Sequence, residues 1–366
     1  MGKETVVTGM SGGVDSSVAA YLLKEQGYNV IGVTMQTWDG KEAQEGGSCA
    51  SAIEDAGRVA KQLGIPYYVI DVQEEFCRNV KRYFIDEYRK GNTPNPCIAC
   101  NKYIKWGELL KYSAGIGADY IATGHYARII KLGNGRYTIS ESAAGKKDQA
   151  YVLYSLDQNQ LAHTLMPLGD YTKEEIRNIA RKAGLEVASK SESQDICFIP
   201  DHDYAGFIER ETGEKCIPGN FIDDNGNILG VHKGIEHYTI GQRKGLNLPA
   251  KQPYYVKKII PATREVVLGG ADSVFTDTVY VDNINYMAVE KLEKPHRLKA
   301  KIRYAHAGAE CELIPLGNGQ AECKLSLIHI SANGKTLELP EAKYLCIKKI
   351  GNSNFMKQTY TNTCLH

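Results

Sequence analysis

The sequence predicts an α/β protein: a doubly wound, mostly parallel sheet, followed by a small β-rich central domain and a β-barrel-like C-terminal domain. Three observations carry that expectation. Short β-branched runs alternate with helical periodicities through the first half, and a glycine-rich turn joins the first of these runs to the first helix. Beyond a helix around Tyr204–Glu211, strand-and-turn signals take over.

Thr5-Val6-Val7-Thr8 reads as a buried strand, and Val14 to Gln26 as a helix with Val14, Val18, Tyr21 and Leu22 at helical spacing, closed by Gly27. Asn29–Met35 is a second strand. Ile53, Ala56, Val59, Ala60 and Leu63 mark a helix from about Ala50. Tyr67–Val72 is a third strand, with a helix after it to about Lys90; Tyr120–Thr123 is another strand, ending at Gly124-His125; a further helix spans about Lys173–Ala183. Ligands of such sheets bind outside the carboxyl ends of the strands, so the glycine-rich turn, Met35 and Gly124-His125 are expected to converge on one crevice. In the second half, Asn225-Gly226 and Asn318-Gly319 read as two-residue hairpin turns, and Pro261–Arg264 as the turn between Tyr254–Ile260 and Glu265–Leu268. The expected domains are 1–205, 206–272 and 273–366.

A chain of 366 residues is long enough for two or three domains with large cores. Its 44 Lys+Arg balance 43 Asp+Glu, so net charge argues for no nucleic-acid partner. Any basic surface must be local, with Arg243, Lys244, Arg297, Lys299, Lys301 and Arg303 as candidates. No apolar run is long enough for a bilayer, and Met1-Gly2-Lys3-Glu4 leads straight into the first strand; a cytoplasmic protein with no membrane association is expected. The ten cysteines are scattered, unlike a secreted disulfide framework, which leaves some of them open to reactive or metal-binding roles.

The glycine-rich turn is Gly9-Met10-Ser11-Gly12-Gly13-Val14-Asp15-Ser16, followed by Ser17. Glycines let the backbone approach phosphate oxygens, the helix start offers unpaired N–H groups, and Ser11, Ser16 and Ser17 add hydroxyls. The spacing is not that of a Walker A loop, and no Gly-Lys-Ser/Thr follows. Asp15 reads either as a first-turn helix charge or as a holder of a pyrophosphate-bound Mg²⁺.

Asn95-Pro96-Cys97-Ile98-Ala99-Cys100 closes a proline-bearing loop, and a helical pattern is expected from about Cys100. Near that helix start, with Lys102 and Lys105 close by, Cys100 is expected to have a lowered thiol pKa. Cys97-x-x-Cys100 leaves four readings open: a zinc half-site, for which no second C-x-x-C exists; buried inert thiols; a reactive dithiol or a cysteine paired with a distant one; and an iron–sulfur cluster with three cysteine ligands. Cys197, in Ser193-Gln194-Asp195-Ile196-Cys197-Phe198-Ile199, is either such a distant partner on a polar loop or a residue of a short buried strand.

Taken together and in order, several blocks resemble one family. They are Gly9–Ser17, Thr93-Pro94-Asn95-Pro96-x-x-x-Cys100-Asn101, Ala122-Thr123-Gly124-His125-Tyr126, Lys147-Asp148-Gln149 and Ser193–Ile199, then His237–Leu246 and Lys301-Ile302-Arg303-Tyr304. The first resembles the PP-loop of ATP pyrophosphatases (adenine nucleotide alpha hydrolase-like). The set as a whole resembles the tRNA-specific 2-thiouridylases, which replace the C2 oxygen of the wobble uridine with sulfur.

That resemblance implies ATP, with Mg²⁺, bound by Gly9, Met10, Ser11, Gly12, Gly13, Val14, Asp15, Ser16, Met35 and Gly124. It implies a target base held near Asn95, Pro96 and Cys97, and tRNA contacts from His125, Lys147, Asp148, Gln149, Arg303 and Tyr304. By the same resemblance, Cys197 carries a persulfide and Cys100 frees its sulfur, leaving a Cys100–Cys197 disulfide. Its partners are tRNA for Lys, Glu and Gln, and a persulfide donor, either a cysteine desulfurase or a relay protein. No resident metal site is implied, and an iron–sulfur cluster on Cys97, Cys100 and Cys197 stands as the less favoured alternative. Two departures stand out. Position 97 has a thiol where the family has an aspartate proposed as acid–base. Past about Lys324 the expected Pro-Gly-Gln segment gives way to Leu325-Ser326-Leu327-Ile328-His329-Ile330, an ending foreign to the family, and weak order is expected after residue 325.

Overall fold

A computed structural model describes residues 2–37, 49–190, 196–249, 252–274, 277–301, 308–325 and 345–346. The expectation for the chain after residue 325 therefore lies outside the described residues, apart from a two-residue strand. The chain divides into two compact units, the first made of 1–81, 96–194 and 287–290, the second of 82–95, 195–286 and 291–366.

The first unit begins as the alternation predicts: β1 (Thr5–Gly9), α1 (Val14–Glu25), β2 (Asn29–Gln36), α2 (Cys49–Leu63) and β3 (Tyr67–Asp71). A helical run follows as α3 (Gln73–Phe76), a π-helical turn at Cys77–Lys81, and α4 (Arg82–Arg89), which belongs to the second unit. Next come α5 (Pro96–Cys100), a π-helical stretch at Asn101–Leu109, α6 (Leu110–Gly115) and β4 (Tyr120–Ala122). The helix thus starts at Pro96 rather than near Cys100, because proline at the first helical position lacks only an N–H that has no acceptor there. The unit continues with β5 (Arg128–Lys131) paired to β6 (Tyr137–Ser140), α7 (Gln158–Ala162), β7 (Thr164–Leu165) and α8 (Lys173–Lys182).

Its main sheet is wholly parallel, in the order β3-β2-β1-β4-β7. Adjacent residues of β1 feed opposite cores. Val6 packs with Val18, Leu23, Val59 and Ile176 on one face, and Val7 with Val33, Trp106, Leu109 and Leu153 on the other. That is the period-two consequence of a strand buried on both sides, and it makes the sheet doubly wound. The strand order reverses between β1 and β4, the switch point at which such sheets open a crevice.

The second unit holds two sheets. α9 (Tyr204–Thr212) precedes β8 (Gly219–Ile222), β9 (Ile228–His232), β10 (Tyr255–Ile260) and β11 (Glu265–Gly269), ordered β10-β11-β8-β9 around a core of Phe221, Tyr238, Val256 and Val266. The Asn225-Gly226 turn differs from expectation: residues 223–227 all lie between the strands. The Asp223 carboxylate accepts hydrogen bonds from the Asn225 and Asn227 N–H groups, an Asx-type closure that replaces the tight hairpin. Then come β12 (Thr278–Val281), β13 (His296–Lys301), β14 (Ala309–Gly317), β15 (Gln320–Leu325) and β16 (Leu345–Cys346), in the order β12-β15-β14-β13-β16. Here Asn318-Gly319 is the expected two-residue turn, with φ of 51° and 72° as a type I′ hairpin requires.

Candidate active site

The loop between β1 and α1 is shaped by its glycines. Gly12 has φ +67°, and a Cβ there would stand 2.5 Å from the Ala52 carbonyl oxygen in α2. On the far side of the switch point, a Cβ on Gly124 would lie 2.7 Å from the Ser16 amide nitrogen, and one on Gly9 3.6 Å from the Met35 Cε. The glycine turn, Met35 and Gly124 therefore meet at the carboxyl ends of β1, β2 and β4.

Within the loop the serines bond one another. The Ser11 N–H donates to Ser16 Oγ (3.1 Å), and Ser16 and Ser17 hydroxyls donate to the Gly13 carbonyl. Ser17 is fully buried, so its hydroxyl locks the loop instead of facing a ligand. Met10 is also buried, and its carbonyl accepts from Thr34 Oγ1 (2.7 Å), which in turn accepts from the Tyr67 hydroxyl. Val14 is buried, while Ser11 is the exposed hydroxyl of the loop.

Asp15 is not simply a first-turn charge. Lys173 Nζ, from the start of α8, lies 2.7 and 2.8 Å from its two carboxylate oxygens, and the Tyr126 hydroxyl donates to Oδ1 at 2.7 Å. A second lysine, Lys190, donates to the Gly12 carbonyl (3.1 Å) and pairs with Asp55. Sequence reasoning missed Lys173, Lys190, Asp55 and a role for Tyr126. The capping box Thr172-x-x-Glu175 marks where α8 begins, and so places Lys173 in its first turn, but no local signal links it to Asp15.

Around Gly124 the neighbouring side chains turn inward. His125 is buried, with Nδ1 2.7 Å from Thr123 Oγ1 and Nε2 3.4 Å from Lys105 Nζ. Lysine can only donate, so Nε2 accepts and the proton sits on Nδ1. Burial, reinforced by the Lys105 charge, holds this imidazole well below the usual histidine range, and it is neutral at pH 7. Gln149 Oε1 accepts from the Tyr126 N–H, and the Asp148 carboxylate accepts from the Ser142 and Ala150 N–H groups. Burial raises the Asp148 carboxyl, and these backbone bonds pull it back down. Of the Lys147-Asp148-Gln149 trio, Lys147 is the exposed member.

The cysteines correct one expectation. Cys97 is exposed in the first turn of α5, beside buried Pro96, whereas Cys100 is that helix's last residue. The Cys100 residue is partly exposed but its thiol is enclosed, and burial pushes it up, with Lys105 acting in the opposite direction. The expected lowered thiol at Cys100 is therefore overturned, because desolvation of the thiolate outweighs the nearby positive charge. Cys197 is exposed and lies in no strand, and residues 191–195 just before it fall outside the described residues. Cys97 and Cys100 belong to the first unit; Asn95, buried, and Cys197 belong to the second. Arg303 and Tyr304 lie outside the described residues.

A glycine loop at the switch point of a doubly wound parallel sheet, with no Walker lysine, defines a PP-loop nucleotide-binding α/β protein. The family model described as tRNA methyl transferase HUP domain matches residues 4–201, and that of the tRNA methyl transferase PRC-barrel domain matches residues 205–270. The tRNA-specific 2-thiouridylase MnmA of Lachnoclostridium phytofermentans is 57% identical over 324 residues, covering 87% of this chain and 91% of that relative. Its counterpart in Clostridium kluyveri is 55% identical over 325 residues, covering 88% and 91%. The chain belongs to the tRNA-specific 2-thiouridylase MnmA family. Among solved structures, the U34-tRNA thiolase NcsA from Methanococcus maripaludis with its 4Fe-4S cluster is a distant likeness, 21% identical with a TM-score of 0.36 over 57% of this chain and 66% of that one. No helix among the described residues is long and apolar enough to cross a membrane.

Proposed function

We propose that this chain is a tRNA-uridine 2-sulfurtransferase, using ATP to replace the C2 oxygen of the wobble uridine with sulfur in tRNA for Lys, Glu and Gln. The observation that carries the reading is the loop at the switch point, with Gly124 pressed onto its first helical turn, in a chain so similar to named 2-thiouridylases.

A uracil C2 oxygen is a poor leaving group; transfer of AMP to it releases pyrophosphate and makes it a good one. The loop's backbone N–H groups and the Ser11 hydroxyl suit the phosphate tail. Among the described residues no three His, Cys, Asp or Glu side chains stand together as a metal set. The residues present fit Mg²⁺ all the same, since this ion is commonly held by one carboxylate plus substrate phosphates; Asp15 would be that carboxylate. When bound, Mg²⁺ neutralises phosphate charge.

Sulfur arrives as a persulfide on Cys197, whose exposure suits reception from a cysteine desulfurase or relay protein. The Cys100 thiolate attacks the inner sulfur of that persulfide. The Cys100–Cys197 bond forms, the S–S bond of the persulfide breaks, and hydrosulfide leaves with the electron pair. Hydrosulfide adds at C2 and AMP departs with the former C2 oxygen, while an external dithiol resets the disulfide. Asn95, Pro96 and Cys97 frame the flipped base, and Lys147, Arg303 and Tyr304 contact the RNA; His125, Asp148 and Gln149 act by holding the segment around Lys147 in shape. The cytosol is the compartment where tRNA and a reductant are both available.

The test supplies purified protein with ATP, a persulfide donor and unmodified tRNA, with an iron chelator present. Equal amounts of thiolated tRNA, AMP and pyrophosphate are expected, and Cys100→Ser and Cys197→Ser each abolish thiolation. AMP release without thiolation, or activity lost to the chelator, would sink the persulfide route.

A further inference from the structure

We propose that Lys173 is a phosphate-binding residue of the nucleotide site. Its ammonium is held by Asp15 in the free chain and passes to a phosphate oxygen in the nucleotide complex. The inference rests on reading the glycine loop as an ATP site and deepens that reading.

ATP brings several negative charges to a loop that contains none of the opposite sign. Residues Gly9–Ser17 include three serines and one carboxylate but no lysine or arginine. A Walker loop carries its own lysine for the terminal phosphates, so here the cation must come from elsewhere in the chain. Lys173 is placed to supply it. Nζ sits 2.7 and 2.8 Å from both oxygens of Asp15, in the first turn of the helix that the loop opens. Its side chain is 15% exposed, and Nζ lies 5.7 Å from the centroid of the Tyr126 ring. An ammonium so poorly hydrated depends on an anionic partner.

Asp15 is the residue that must change allegiance when a cation-bearing phosphate tail enters, since its carboxylate would otherwise repel the phosphates. Lys173 then loses a carboxylate and gains a phosphate at nearly the same place, an exchange of one charge-assisted pair for another. Tyr126 supports either arrangement, with its hydroxyl on Asp15 at 2.7 Å and its ring beside the ammonium. Lys190 is different. Its partners are the Gly12 carbonyl and Asp55, acceptors that a nucleotide does not claim, so it braces the loop.

The experiment is equilibrium binding of α,β-methylene-ATP, which cannot be split between its first two phosphates, alongside adenosine, which has none. Lys173→Met is expected to weaken the analogue about tenfold or more and leave adenosine unchanged, with Lys173→Arg recovering most of the loss. A Met variant that binds the analogue as tightly as the unmutated chain overturns the proposal, as does one that loses both ligands equally. Should the Met variant not fold, acylation of lysines in the unmutated chain decides. Protection of Lys173 by the analogue but not by adenosine supports the proposal, and equal labelling with both overturns it. An unmutated chain that binds neither ligand refutes the ATP site itself, a result distinct from failure of Lys173 alone.

Discussion

Cys100 shows how a single residue's chemistry is decided by its surroundings. Two lysines nearby in sequence point to a stabilised thiolate, yet enclosure costs that thiolate its hydration and leaves the thiol raised, with Lys105 as the opposing influence. Reaction of Cys100 with iodoacetamide is accordingly expected to climb through pH 7–9 without levelling. Lys105→Met should slow it by about threefold to tenfold at pH 8, read by mass spectrometry of the Cys100 peptide. His125 carries a second pH signature. Its native pKa lies below that of the unfolded chain, so on acidification the unfolded chain takes up the proton first. Stability is therefore full above about pH 6.5 and falls as pH drops through the window beneath it. Urea unfolding at pH 7.5 and 5.5 should show that loss, and His125→Gln should shrink it.

At the scale of elements, the loop's geometry depends on what its neighbours leave room for. The close approach of β4's end to α1 works only because residue 124 has no side chain: a Cβ would press on the Ser16 amide, one of the groups proposed above to bind phosphate. Gly124→Ala is expected to weaken ATP binding by about tenfold or more while far-UV circular dichroism stays unchanged, since the strain falls on one turn. The hairpins make a parallel point. Asn318-Gly319 closes as its sequence demands because both residues adopt positive φ, whereas at Asn225-Gly226 the Asp223 side chain captures the backbone first and lengthens the turn.

For the molecule as a whole, a nearly neutral total charge, +1, leaves RNA binding to the placement of charges. Arg297 and Lys299 point to one face of β13, but their cross-strand partners are Glu312 and Glu310, so that stripe is a mixed-charge ladder rather than a basic surface. Arg243 and Lys244 are exposed in the connection between β9 and β10. Replacing both by Gln is expected to flatten the salt dependence of tRNA binding by about one to two in log–log slope, and replacing Arg297 and Lys299 by Gln to change it less. A filter-binding titration over salt concentration reads both.

The alternation of β-branched runs with helical periodicities determined the parallel sheet and the glycine loop, because these follow from local spacing and from which faces must leave water; the switch point came only with the strand order of the folded sheet. The strand-end rule for such sheets likewise marked Met35 and Gly124 as loop neighbours. Only the tertiary structure decided the Lys173–Asp15 pair, the inward turn of His125, Asp148 and Gln149, and the enclosure of the Cys100 thiol. Each depends on residues far apart along the chain or on the density of packing around a polar atom, and solvation and long-range pairing leave no periodic trace in a sequence.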